Sequence, residues 1–150
     1  MISRRKFSRA ACQLLAAESE MPVGRGKAPV DVEHPPYYLA YAMGLELPNE
    51  TLADEHADAS IVIQFTAVSG PDPEIPDSGG NLDQVEWMAD KAREVFLARD
   101  PATGLWLHEI NVPGVRVYGR SLETEAGGTN DPADAIIGYV QRFRFDLTPA

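Results

Sequence analysis

The stretch from Tyr139 to Leu147 narrows the possible folds most, because its side chains alternate between two kinds without a break. Tyr139, Gln141, Phe143, Phe145 and Leu147 fall on one side, and Val140, Arg142, Arg144 and Asp146 on the other. Successive side chains of a strand point to opposite faces, so a period-two run of this kind specifies a strand with one face in a core. A second such run, Ser60 to Val68, sets Ile61, Ile63, Phe65 and Ala67 against Val62, Gln64, Thr66 and Val68. Its first face belongs in the core and its second is expected to be half covered.

Helical spacing supplies the layer that such a sheet needs. Phe7, Ala11, Leu14 and Leu15 recur as on one face of an amphipathic helix, and Met21-Pro22 ends the pattern. Gly24 to Pro36 reads as a polar connector, and Tyr37 to Tyr41 as a short strand. Asn81 is placed to cap a second helix, with Gln84 reaching back in the manner of a capping box. From Leu82 to about Arg99 that helix turns Leu82, Val85, Met88, Ala89, Ala92, Val95 and Phe96 toward the core. Trp87 lies nearly opposite this stripe, where either the preceding loop or another subunit must cover it. Beyond a turn at Asp100 to Gly104, Leu105–Ile110 and Val115–Leu122 read as a hairpin.

The order helix, strand, strand, helix and three strands predicts an α+β fold, a mostly antiparallel or mixed β-sheet packed against two helices. At 150 residues, one domain spanning 1–150 is expected, with a helix and connector over 1–30 and an α/β core over 36–148.

Charge is unevenly spread over this frame. The net charge is −10, and three segments hold acids with no Lys or Arg among them. Gly44 to Ser60 carries Glu46, Glu50, Asp54, Glu55 and Asp58; Pro71 to Gly80 carries Asp72, Glu74 and Asp77; Glu123 to Ala135 carries Glu123, Glu125, Asp131 and Asp134. The remaining eleven acids face all thirteen bases, so the framework is nearly neutral and the loops are acidic. Such residues are also what solvated loops are ordinarily made of. Acidic surface weighs against sequence-independent DNA binding, since phosphate neutralisation supplies most of that affinity. Several copies pointing these loops into a channel would instead keep a passing polyanion off the wall. On the opposite sign, Arg142 and Arg144, with Arg116 and Arg120 on a possible neighbouring strand, make a basic outer face. It serves either solubility or an acidic loop of an adjacent copy. Unstructured loops of 10 to 17 residues are uncommon in compact domains, and here they are expected to meet neighbours.

Reaction chemistry finds little support. The single cysteine, Cys12, sits in an apolar stretch and reads as a small buried hydrophobe. Asp54, Glu55, His56 and Asp58 have the residue types of a metal or acid-base site, but no second histidine stands near them. His34 and His108 belong to unrelated stretches, and His108 reads as a sheet residue. No phosphate-cradling glycine loop, nucleophile elbow or zinc-hydrolase helix is present. The expectation is a protein without catalytic, cofactor-binding or metal residues. Ser3 to Phe7 resemble a twin-arginine export signal, but the apolar run Ala10–Ala17 is interrupted by Gln13 and ends in Glu18 and Glu20, so a cytoplasmic origin is expected. No stretch reaches the roughly 18 apolar residues of a membrane span.

Four segments, in this order and spacing, carry a family resemblance. They are Pro36-Tyr37-Tyr38-Leu39-Ala40-Tyr41; Asp58-Ala59 leading into Ile61 to Gly70; the helix Glu86-Trp87-Met88-Ala89-Asp90-Lys91-Ala92-Arg93; and the closing Arg142-Phe143-Arg144-Phe145. Over about residues 36 to 148 the chain resembles the tail terminator family of long-tailed bacteriophages, particularly those of actinobacterial phages. The Pro71–Gly80 loop is longer and more acidic than the family pattern. The resemblance implies a subunit of the virion, at the head–tail junction, that forms a homohexameric ring on the finished tail tube. It implies an end to tube polymerisation, a docking surface for the neck or head-completion protein, and DNA passing through without specific binding. Trp87 and the four arginines would then serve ring contacts, and the acidic segments the lumen or a partner. The alternatives are a neck or head-completion protein, a small acid-base hydrolase using Asp54, Glu55 and His56, and a monomeric acidic binding module.

Overall fold

The computed structural model describes residues 2–46, 58–131 and 135–150. The two alternating runs become β3 (Ala59–Ser69) and β5 (Ile136–Pro149) and pair antiparallel, with Ile61 opposite Phe145, Ile63 opposite Phe143 and Phe65 opposite Gln141. Residues paired across a ladder share a face, so the two apolar rows fuse into one surface. β2 (Tyr37–Glu46) flanks β3, and β4 (Val115–Asp131) flanks β5. The three-residue β1 (Val23–Arg25) runs parallel to β2, giving a mixed five-stranded sheet in the order β1-β2-β3-β5-β4.

Two helices, α1 (Arg4–Ser19) and α2 (Leu82–Leu97), pack on the apolar face, as the α+β reading expected. α1 buries Phe7, Ala11 and Leu15, and the Ser3 hydroxyl caps it by accepting from the Lys6 amide at 3.3 Å. α2 buries Val85, Met88, Ala89, Ala92, Val95 and Phe96. All five phenylalanines, Phe7, Phe65, Phe96, Phe143 and Phe145, meet in one cluster with ring centroids 5.1 to 6.0 Å apart. Each such ring taken from water contributes about 2–3 kcal/mol, and the edge-to-face pairs add to that. Polar side chains also cross this layer. The Tyr38 hydroxyl donates to the Met88 carbonyl at 2.6 Å, and Gln141 Nε2 donates to the Ala89 carbonyl at 3.0 Å. Both tie the sheet to the backbone of α2.

Several expectations need correction. The connector holds β1, too short for periodicity to reveal. β2 runs on from Tyr41 to Glu46. α2 stops at Leu97, and Leu82, in its first turn, is 50% exposed and not part of the buried stripe. Asn81 caps α2 as expected, its Oδ1 accepting from the Gln84 amide at 3.4 Å, but the return half of the box runs through a third residue: the Asn81 amide donates to Ser69 Oγ at 3.0 Å and Ser69 donates to Gln84 Oε1 at 2.6 Å. Leu105–Ile110 is no strand. It forms one isolated bridge, Arg99 to Trp106, and the long hairpin is β4–β5. β4 also continues through Glu123 to Asp131, where an acidic loop was expected. Its alternation is hidden by register shifts after Val117, Leu122 and Glu125, each of which places an extra residue and reverses the parity.

Candidate functional site

On the face of the sheet away from the helices, β3 and β5 present an interlocked polar row. Arg142 Nε donates to Gln64 Oε1 at 3.1 Å. Arg144 Nε donates to Asp146 Oδ1 at 3.1 Å and its Nη2 to Ser60 Oγ at 3.0 Å, while Ser60 donates to Asp146 at 2.6 Å. Arg116, opposite Thr148, is exposed and shares this face. Arg120 does not. The extra residue Tyr118 reverses the parity between them, so Arg120 stands opposite Phe145 and turns inward, 9% exposed. The expected basic face therefore holds Arg116, Arg142 and Arg144 only.

The acidic residues divide in the same way. Glu125 lies opposite Gln141, on the helix side, where it accepts from Arg93 Nη2 at 2.8 and 2.9 Å and from Gln141 Nε2 at 3.0 Å. Burial alone would raise its carboxyl, but the bonds from Arg93 and Gln141 outweigh that and hold it below the usual carboxylate range. Glu125 thus clamps α2 to the hairpin and is no free loop acid. Glu123 is exposed at a register shift in β4, and Asp131 ends that strand. Asp72, Glu74 and Asp77 are exposed in the segment between β3 and α2. There Asp72 Oδ1 accepts from the Glu74 amide at 2.9 Å. Asp58 is half-buried just before β3. Asp54, Glu55, His56 and Asp134 lie outside the described residues.

These acids do not converge. Asp58 enters β3 at one end and Asp72 follows it at the other, and ten steps at about 3.3 Å per residue set the two ends roughly 33 Å apart. Trp87, on the outer side of α2, is 49% exposed, so the preceding loop leaves it open.

Sequence reasoning missed a cleft at the edge of the sheet, where β4 begins. Its volume is about 320 Å³, and Leu105, Trp106, Glu109, Ile110, Arg116 and Arg120 line it. The Trp106 ring has Arg99 at 3.9 Å and Arg120 at 4.9 Å from its centroid. Arg120 Nη1 donates to the Phe96 carbonyl at 3.1 Å, near the C-terminus of α2, but its Nε finds no acceptor among the described residues. Burial pushes its guanidinium down to about 10; Glu109 works against that fall and Arg99 adds to it. A buried cation with incomplete partners beside an apolar wall favours an anionic guest with an apolar neighbour. Nothing in the sequence reading marked the place, since the segment around Trp106 reads falsely as a strand.

Other candidates stay apart. His108 Nδ1 lies 3.7 Å from Glu18 Oε1. Cys12 is buried, and burial pushes its thiol up to about 11 against the pull of Arg25. Among the described residues no group of three His, Cys, Asp or Glu could hold a metal ion, and no helix is long and apolar enough to cross a membrane.

No protein-family model matches the chain, and no curated protein does so either. Among solved structures it is similar to a chain from the virion of a native gene transfer agent particle, with a TM-score of 0.58 and 13% sequence identity. The match covers 94% of this chain and 93% of the other, so what the two share is the whole fold.

Proposed function

We propose that this chain is a structural subunit of a tailed, phage-like particle, and that it is the terminator: a six-membered ring that caps the tail tube, ends its growth and joins it to the neck. The observation that carries this reading is the near-complete coverage, in both directions, between this domain and a chain of a gene transfer agent virion. A fold alone does not give a function. The tail terminator resemblance of the segments from Pro36 to Phe145 narrows it, and the surfaces suit it. Arg116, Arg142 and Arg144 stand on the sheet face opposite both described helices, Trp87 is open on the other layer, and Asp58 lies at one end of β3 with Asp72, Glu74 and Asp77 beyond the other. Acids that face the channel and not a ring contact would let DNA pass without sticking, because like charge denies it the counterion release that drives binding. Ring contacts are heterologous, so two different patches must fit each other around the closure.

The test is electron microscopy of particles made without this protein. The expected products are tails of uncontrolled length and separate heads. Tails of normal length that lack heads would point to a neck protein and defeat the terminator reading. Normal tails already joined to heads would overturn both.

A further inference from the structure

The cleft around Trp106 and the loop between β3 and α2 have matching chemistry, and they sit at opposite ends of the molecule. The loop carries Asp72, Glu74 and Asp77 around Ile75, whose side chain is 57% exposed. The cleft offers the converse: an apolar wall of Leu105, Trp106 and Ile110 beside Arg116 and the incompletely partnered Arg120, with Glu109 as the one acid among the six. Leu105 is 68% exposed, a large apolar side chain with no cover of its own.

Geometry separates the two within one molecule. The loop leaves β3 after Ser69, which pairs with Ile137 at the start of β5, and it is pinned there by the bond from the Gly80 amide to the Ala135 carbonyl at 2.6 Å. The cleft lies by Val115, which pairs with Pro149 at the other end of β5. Twelve strand steps set them roughly 40 Å apart.

We propose that the Trp106 cleft receives the Asp72–Asp77 loop of a second copy of this chain, Ile75 seating against Leu105, Trp106 and Ile110 while Glu74 faces Arg116 and Arg120. Each copy then gives its loop to one neighbour and its cleft to another, the head-to-tail arrangement that makes a ring when the rotation between copies closes. The inference rests on the self-assembling reading above and names the contact that would carry it.

Mixing two blocked variants tests it. Ile75→Asp spoils the loop and leaves the cleft free; Arg116→Glu spoils the cleft and leaves the loop free. Both positions are exposed, and circular dichroism checks that both variants fold. In sedimentation the wild type is expected to assemble, and each variant alone to self-associate more weakly by on the order of tenfold or more. An equal mixture is expected to form a one-to-one pair through the remaining loop and cleft, and nothing larger. A wild type that assembles while both variants assemble equally well would overturn this contact and leave the ring intact. A mixture no better paired than its components would do the same. In a Trp87→Phe background, Trp106 is the sole reporter, and a peptide of residues 70–79 should shift its emission to shorter wavelength. A wild type that stays monomeric at every concentration, with no response to that peptide, would overturn the contact and the ring together.

Discussion

Replacing Arg120 with methionine should leave the subunit about as stable as before while weakening the self-association proposed for its cleft. Burial lowers the guanidinium from its ordinary 12.5 to about 10, which corresponds to about 3 kcal/mol of destabilisation. Both folded and unfolded chains are charged at pH 7, so that whole penalty is present there. Against it stand the bond from Nη1 to Phe96, one of the last four carbonyls of α2, and the contact with the Trp106 ring. Leaving the carbonyl unpaired costs about 1–3 kcal/mol and losing the ring contact about 1 kcal/mol. Methionine fills much of the same volume with an apolar chain, so the terms offset to within about 1 kcal/mol of the wild type. Urea denaturation at pH 7, followed by circular dichroism, reads this as a midpoint nearly unchanged at an unchanged slope. Sedimentation of the same variant should show weakened self-association. A loss of about 3–5 kcal/mol, the penalty for breaking a satisfied buried ion pair, would refute the reasoning, because Arg120 would then be serving the fold and not a guest.

Phe96→Ala should cost about 3–5 kcal/mol, read by the same denaturation, because Phe96 is fully buried and touches the rings of Phe65, Phe143 and Phe145. The Glu125 carboxyl is held low in the folded state, so its contribution is present above the unfolded value near 4.5 and fades as pH falls through the folded one. Glu125→Gln should therefore cost about 1 kcal/mol or less at neutral pH, given a partner that is 44% exposed, and the difference from wild type should close on acidification. A gap that widens below pH 4.5 would contradict the assignment. With its thiol pushed up to about 11 and shielded, Cys12 should resist an aromatic disulfide reagent in the native protein and react at once in denaturant; prompt native labelling would show that the α1 packing is looser than described.

What was legible in the sequence follows from how regular each element is. β3 and β5 keep their parity from end to end, so alternation alone found the strands, their core faces and the position of Gln141. The stripe of α2 was equally plain from Val85 to Phe96. β4 was not, because three register shifts scramble its pattern, and the same irregularity reversed Arg120 and turned Glu125 from an apparent loop acid into a clamp. β1 has three residues, fewer than one full alternation needs. The cleft escaped notice because its walls come from Leu105–Asn111 and the start of β4, whose proximity is a product of tertiary packing.

A cryo-electron microscopy map of the intact particle tests the central claim most directly. Six copies of this fold are expected to form a closed annulus at the head-proximal end of the tail tube, with DNA or an open channel on its axis. Density for the chain in the capsid shell, along the tube wall or at the distal tip would contradict it.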